Sequence, residues 1–144
     1  MKDFKKIRTY GYCFIDKSEL ISDILNDRSK LFLITRPRRF GKSLNLSMLD
    51  AFFNLEYKGN KWFDGLKIND NPKAGDYQNT CPVISLSMKD LLLNTVEDFT
   101  DRLIVRISAL YRNFPYLKNC ETVDQELRAK FNSANIENLK TSEL

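Results

Sequence analysis

An α/β architecture is the fold class this sequence predicts, and three observations predict it. Leu31-Phe32-Leu33-Ile34-Thr35 is a continuous apolar run of strand formers, which suggests a strand covered on both faces. Arg36-Pro37-Arg38-Arg39-Phe40-Gly41 follows and cannot be regular structure, because Pro37 and Gly41 break it. From Lys42 a helix pattern begins, with Leu44, Met48, Phe52 and Leu55 recurring at spacings of four, four and three. Leu46, Leu49 and Phe53 fill a neighbouring stripe, so this helix is expected to be largely buried.

The remaining elements follow in chain order. Residues 1–12 are basic and aromatic and end in Tyr10-Gly11-Tyr12. Asp16 or Ser18 is placed to cap a short helix over 18–27, with Leu20, Ile21, Ile24 and Leu25 on one side. Asp27-Arg28-Ser29-Lys30 is a polar turn before the first strand. Residues 56–80 are loop-rich, with Gly59, Gly65, Pro72 and Gly75 around an apolar cluster at Trp62-Phe63-Asp64-Gly65-Leu66. Pro82-Val83-Ile84-Ser85-Leu86-Ser87-Met88 predicts a second strand, and Pro82 suits its first position. Asn94 is the expected N-cap of a helix over 95–112, with Glu97 as its capping-box partner. Val96, Phe99, Leu103, Ile107 and Leu110 form that helix's apolar stripe, and Asn113-Phe114-Pro115 ends it. Residues 115–144 are polar and are expected to be a weakly ordered or helical tail.

Composition narrows the chemistry. The chain has 144 residues, with 23 Lys+Arg against 19 Asp+Glu, and 42% of it is hydrophobic. That content supports a core and argues against wholesale disorder. There is no histidine, which removes Ser-His-Asp and Cys-His catalysis and His-ligated metals. Cys13, Cys81 and Cys120 are far apart and form no CxxC pair, so they are expected to be free thiols. No signal peptide and no apolar run of spanning length is visible, so the expectation is a soluble, cytoplasmic protein without a membrane partner. Charge is uneven: residues 1–43 carry eleven basic and five acidic side chains, net +6, and the rest is net −2. A local basic cluster of this kind suits a compact polyanion.

The order strand, tight loop, Gly41-Lys42-Ser43, buried helix is the context of a phosphate-binding loop. The first turn of a helix has unpaired N–H groups, and the helix dipole adds partial positive charge there. A loop wrapping over that end makes an anion nest. Gly41 permits close approach or a positive φ, Lys42 would reach the β and γ phosphates, and the Ser43 hydroxyl would ligate Mg2+. The full pattern GxxxxGK[ST] is not met, because Arg36 stands in place of the first glycine and Pro37 follows it. Arg36, Arg38 and Arg39 either hold phosphate oxygens or form a solvated loop. Asp50 and Glu56 are expected at the surface, and neither is placed as a catalytic carboxylate.

Thr35-Arg36-Pro37-Arg38-Arg39-Phe40-Gly41-Lys42-Ser43-Leu44 closely resembles the RPRRFGKS loop of the bacterial AAA-ATPase-like family. Tyr12-Cys13-Phe14-Ile15-Asp16-Lys17-Ser18 resembles its YxVDKT element, Phe63-Asp64-Gly65-Leu66-Lys67-Ile68 its FxGLxI segment, and Pro82-Val83-Ile84-Ser85-Leu86 its second strand. These matches run in order over about residues 4–88. The resemblance implies an ATP-binding module with a P-loop NTPase-like three-layer core. It implies ATP and Mg2+ as cofactors, held by Arg36 through Leu44, with Ser43 on the metal.

The family's Walker B segment, an apolar strand ending in carboxylates, has no counterpart here. The three-layer core is therefore expected to be incomplete, residues 1–144 to be an N-terminal portion of the domain, and hydrolysis to be absent. No catalytic residue is assigned. Members often continue into a PD-(D/E)XK nuclease-like region, which implies a nucleic-acid partner reached through that absent region. Tyr12, Phe14 and Asp16 are candidates for contacts to adenine. The alternative function is a non-enzymatic fragment whose basic N-terminal region meets nucleic acid or a partner protein. A small-molecule kinase is the third reading, and no lid arginines or acceptor site support it.

Overall fold

The computed structural model describes residues 3–27, 29, 31–88, 95–114, 124–126 and 129. The chain divides into two compact units, Met1–Val83 and Ile84–Leu144. The expected tail over 115–144 lies outside the described residues apart from 124–126 and 129.

The first unit is helical. Helix α1 spans Phe4–Thr9, where a basic and aromatic segment was expected without a defined element. Asp3 caps it, its side chain accepting from the Lys6 N–H at 3.3 Å. Helix α2 spans Glu19–Asn26 and α3 spans Lys42–Phe53, both close to the expected ranges. Two 3₁₀ turns follow at Leu55–Tyr57 and Lys67–Asp70, then a single helical turn, α4, at Ala74–Tyr77.

The predicted α/β class is overturned. Among the described residues no strand and no sheet forms, and the β-pairing present is an isolated parallel bridge between Asn54 and Cys81. A strand is stable only against neighbours that pair its backbone. Residues 31–35 make no hydrogen bond among the described residues. Leu31 and Leu33 are 85% and 86% exposed, where a strand covered on both faces was expected. Residues 82–88 likewise adopt no regular structure, and Ile84, Leu86 and Met88 are exposed. With no sheet, the three-layer P-loop core is not formed by these residues.

The core is built instead by helices and turns around aromatic rings. Phe4, Ile21, Met48, Ala51, Phe52, Phe63, Leu66, Ile68 and Ala74 form one buried cluster. The Phe63 ring lies 5.0 Å from Phe4 and 5.2 Å from Phe52, edge-on to the latter. Of the two stripes expected on α3, Met48 and Phe52 are buried, Leu44, Leu49 and Phe53 pack against the cluster, and Leu46 and Leu55 are exposed. Among the described residues the helix therefore keeps an exposed side, the one that carries Leu46.

Polar side chains lock this arrangement. Asn79 is buried with φ +54, a left-handed conformation that asparagine tolerates. Its amide donates to the carbonyls of Ala51 and Asn54 at 3.0 and 2.8 Å, and its oxygen accepts from Asn60 at 2.8 Å. The Asn79 N–H donates to the Phe52 carbonyl at 2.7 Å. One side chain and its backbone thus satisfy the unpaired carbonyls where α3 ends.

The basic N-terminal residues serve the same purpose. Lys5 donates to the Tyr57 hydroxyl at 2.6 Å and pairs with Asp50 at 3.5 Å. Arg8 donates to the carbonyls of Trp62 and Asp64 at 2.6 and 2.9 Å. Asp50, expected at the surface, is half-buried and also accepts from Asn54 at 3.0 Å.

In the second unit, helix α5 spans Val96–Arg112, as expected. Thr95 accepts from the Asp98 N–H at 3.1 Å and acts as the cap, while the expected cap Asn94 lies outside the described residues. Phe99, Leu103, Ile107 and Leu110 are half-buried and Val96 is exposed. Among the described residues no helix is long and apolar enough to cross a membrane.

Asn79→Ala should destabilise the first unit by about 2–3 kcal/mol, because it leaves buried carbonyls unpaired. Urea unfolding followed by the fluorescence of Trp62, the single tryptophan, measures this. A midpoint unchanged from wild type would contradict the assigned role.

Candidate functional site

The loop before α3 takes an irregular course that its sequence dictates. The Phe40 N–H donates to the Pro37 carbonyl at 3.4 Å, closing a turn over 37–40. Arg39 has φ +70 and Gly41 has φ +79, so two left-handed residues aim the chain into the helix. Gly41 is the N-cap and has no side chain to cap with, but its carbonyl accepts the first helical bond from Asn45 at 2.9 Å. The N–H groups of Lys42, Ser43 and Leu44 find no acceptor among the described residues. They leave donors and the positive end of the helix dipole facing outward.

The side chains divide into three groups. Arg36, Arg38, Arg39 and Phe40 are exposed, and the three guanidinium groups have no ion-pair partner among the described residues. Lys42 turns back and donates to the Arg36 carbonyl. Ser43 is exposed, while Leu44 packs on the core and contributes only backbone to the loop. Pro37 supplies the turn carbonyl. The structure therefore brings Arg36 to Ser43 to one helix entrance.

The upstream candidates separate. Phe14 packs edge-on against Phe4 at 5.2 Å and belongs to the core margin. Asp16 is engaged, accepting from the Ser18 N–H at 2.8 Å and the Lys67 N–H at 2.9 Å. Ser18 occupies the N-cap position of α2, but its buried hydroxyl accepts from the Ile68 N–H at 3.0 Å instead of capping. Tyr12 alone of the three stays exposed, its ring 6.0 Å from that of Tyr10.

Asp16, Ser18 and the 67–68 turn together form a clamp beside the loop, in which Lys17 brings its ammonium next to Gly41. Sequence reading assigned Lys17 no role, although Lys17 lies within the segment that resembles the YxVDKT element. Among the described residues there is no cluster of three or more Cys, Asp or Glu that would hold a metal by protein ligands alone.

The entrance of α3 thus combines a left-handed glycine, amides without acceptors among the described residues, and exposed cations. A family model described as Predicted AAA-ATPase matches residues 1–142, and the chain belongs to this AAA-ATPase-like family. No curated protein and no solved structure gives a significant match.

Two outcomes follow from this geometry. Gly41→Ala forces a side chain into a left-handed backbone and should cost about 1–2 kcal/mol, read as a lowered urea midpoint. An unchanged midpoint would mean that the φ of Gly41 is not needed. The second concerns acid. Partial burial pushes the Asp16 carboxyl up, but the Lys67 and Ser18 N–H groups outweigh this and hold it below its ordinary value. Its folded pKa is therefore lower than its unfolded one. The stabilisation is complete above about pH 4 and is lost as pH falls through the folded value. Asp16→Asn should unfold at lower urea than wild type at neutral pH, and the gap should close on acidification. A gap that stays constant with pH would refute the assignment.

Proposed function

We infer that the chain binds a nucleoside triphosphate, ATP in the reading its family suggests, as the Mg2+ complex. The observation that carries this is the set of unpaired amides at Lys42, Ser43 and Leu44 behind a left-handed Gly41. Phosphate oxygens complement those donors, and Arg36, Arg38 and Arg39 add charge around them. Lys42 would exchange the Arg36 carbonyl for a phosphate oxygen, a stronger acceptor for an ammonium. The exposed Ser43 hydroxyl suits a hard cation such as Mg2+, which would neutralise charge on the phosphates.

The reading is one of binding. Asp50, the carboxylate on α3, is committed to Lys5 and Asn54 and is not offered to a metal or a water at the loop. The alternative, a basic N-terminal region that contacts nucleic acid, loses two of its cations. Lys5 and Arg8 are engaged with Tyr57, Asp50 and the 62–64 turn.

Titration of Mg·ATP by calorimetry tests the proposal. Wild type should saturate, and Lys42→Ala should bind at least about 100-fold more weakly, since a charge-assisted contact to phosphate is lost. Equal binding by the two proteins would overturn the site.

A further inference from the structure

We propose that Lys17 is a second phosphate-binding lysine, supplied from outside the loop and aimed at it by the turn that holds Asp16 and Ser18. The proposal rests on the reading of the loop as a triphosphate site and adds a residue to it.

Four observations carry it. The Lys17 ammonium lies 3.9 Å from the point where a Cβ on Gly41 would sit. Gly41 is the residue from which α3 starts, so this charge stands at the helix entrance and not on a remote face. Among the described residues the ammonium has no hydrogen-bond or ion-pair partner. The Lys42 ammonium, by contrast, is engaged with the Arg36 carbonyl.

The backbone beneath Lys17 is fixed on both sides. Asp16 accepts from the Ser18 and Lys67 N–H groups at 2.8 and 2.9 Å. Ser18 accepts from the Ile68 N–H at 3.0 Å and is fully buried. The Lys17 carbonyl accepts from the Leu20 N–H at 3.1 Å. A long side chain normally loses rotamer freedom when it binds an anion. Fixing its root and directing it to the glycine limits the volume that the ammonium searches.

The chemistry is simple complementarity. An ammonium has three donors and no acceptor, and here it stands beside Gly41, at the start of a helix whose first amides also only donate. An anion with several oxygens satisfies both at once, and a polyphosphate has oxygens enough for Lys17, Lys42 and the amides together. Lys17 stands at Gly41, where the phosphate-binding loop enters α3, so phosphate is the part of the ligand it is assigned to. Asp16 and Ser18 act as positioning residues.

The test compares Mg·ATP and inorganic tripolyphosphate as ligands for wild type, Lys17→Ala, Lys17→Arg and Lys42→Ala. Lys17→Ala should weaken both ligands by the same factor, about tenfold for one exposed charge-assisted contact. Lys17→Arg should recover most of that loss. Because the Lys17 side chain is exposed, its urea midpoint should match wild type, which separates binding from folding.

If Lys42→Ala loses both ligands while Lys17→Ala binds them as wild type does, the Lys17 assignment fails and the loop reading stands. A loss for ATP but not for tripolyphosphate would place Lys17 at the nucleoside and also overturn it. If wild type binds neither ligand, the loop reading fails and the Lys17 proposal falls with it.

Discussion

Phe52 is fully buried with the Phe63 ring edge-on to it at 5.2 Å, and Phe63 in turn lies 5.0 Å from Phe4. These three rings come from α3, the turn after Trp62, and α1; Phe4 lies 48 residues before Phe52, and Phe63 eleven after it. Burying an aromatic ring of this size contributes roughly 2–3 kcal/mol, and edge-to-face contacts add to that. With no sheet among the described residues to organise the core, this contact is what holds α3 in place. The helix entrance keeps its geometry only while α3 is held.

The two ends of α3 are treated differently, and the difference has a functional reading. At the C-terminal end, Asn79 satisfies the carbonyls of Ala51, Phe52 and Asn54. At the N-terminal end, the amides of Lys42, Ser43 and Leu44 are left without acceptors among the described residues, and Gly41 brings no capping side chain. A serine or aspartate N-cap would have satisfied one of these donors internally, at a gain over glycine of about a few tenths of a kcal/mol. A glycine there instead leaves the donors open to an external acceptor. The Asp16 and Ser18 clamp fixes the segment next to that end in the same way, by hydrogen bonds to the 67–68 turn.

The helices were readable because their apolar residues repeat at helical spacing. Ile21, Met48 and Phe52 are buried as their periodicity required, and α2, α3 and α5 fall close to the expected ranges. The strands were misread because an apolar run reports a wish for burial and not the presence of a pairing partner. Leu31 and Leu33 are exposed, and no neighbour pairs their backbone among the described residues. Net charge does not reveal that Lys5 and Arg8 find Tyr57, Asp50 and two carbonyls after the chain has folded.

The sequence by itself determined the local grammar of this protein. Gly41-Lys42-Ser43 at a helix start, Pro37 in the preceding turn and the ordered segments over about residues 4–88 are local facts, and they point to the family whose model matches residues 1–142. Tertiary structure alone decided which polar groups are free and which are engaged. It buried Ser18 and Asn79, tied Asp16 to Lys67, turned Lys42 onto Arg36, and left Lys17 beside Gly41. The physical reason is that a hydrogen bond between distant segments depends on distance and direction after packing. Residue type and spacing set what each group is able to do, and the fold sets what it meets.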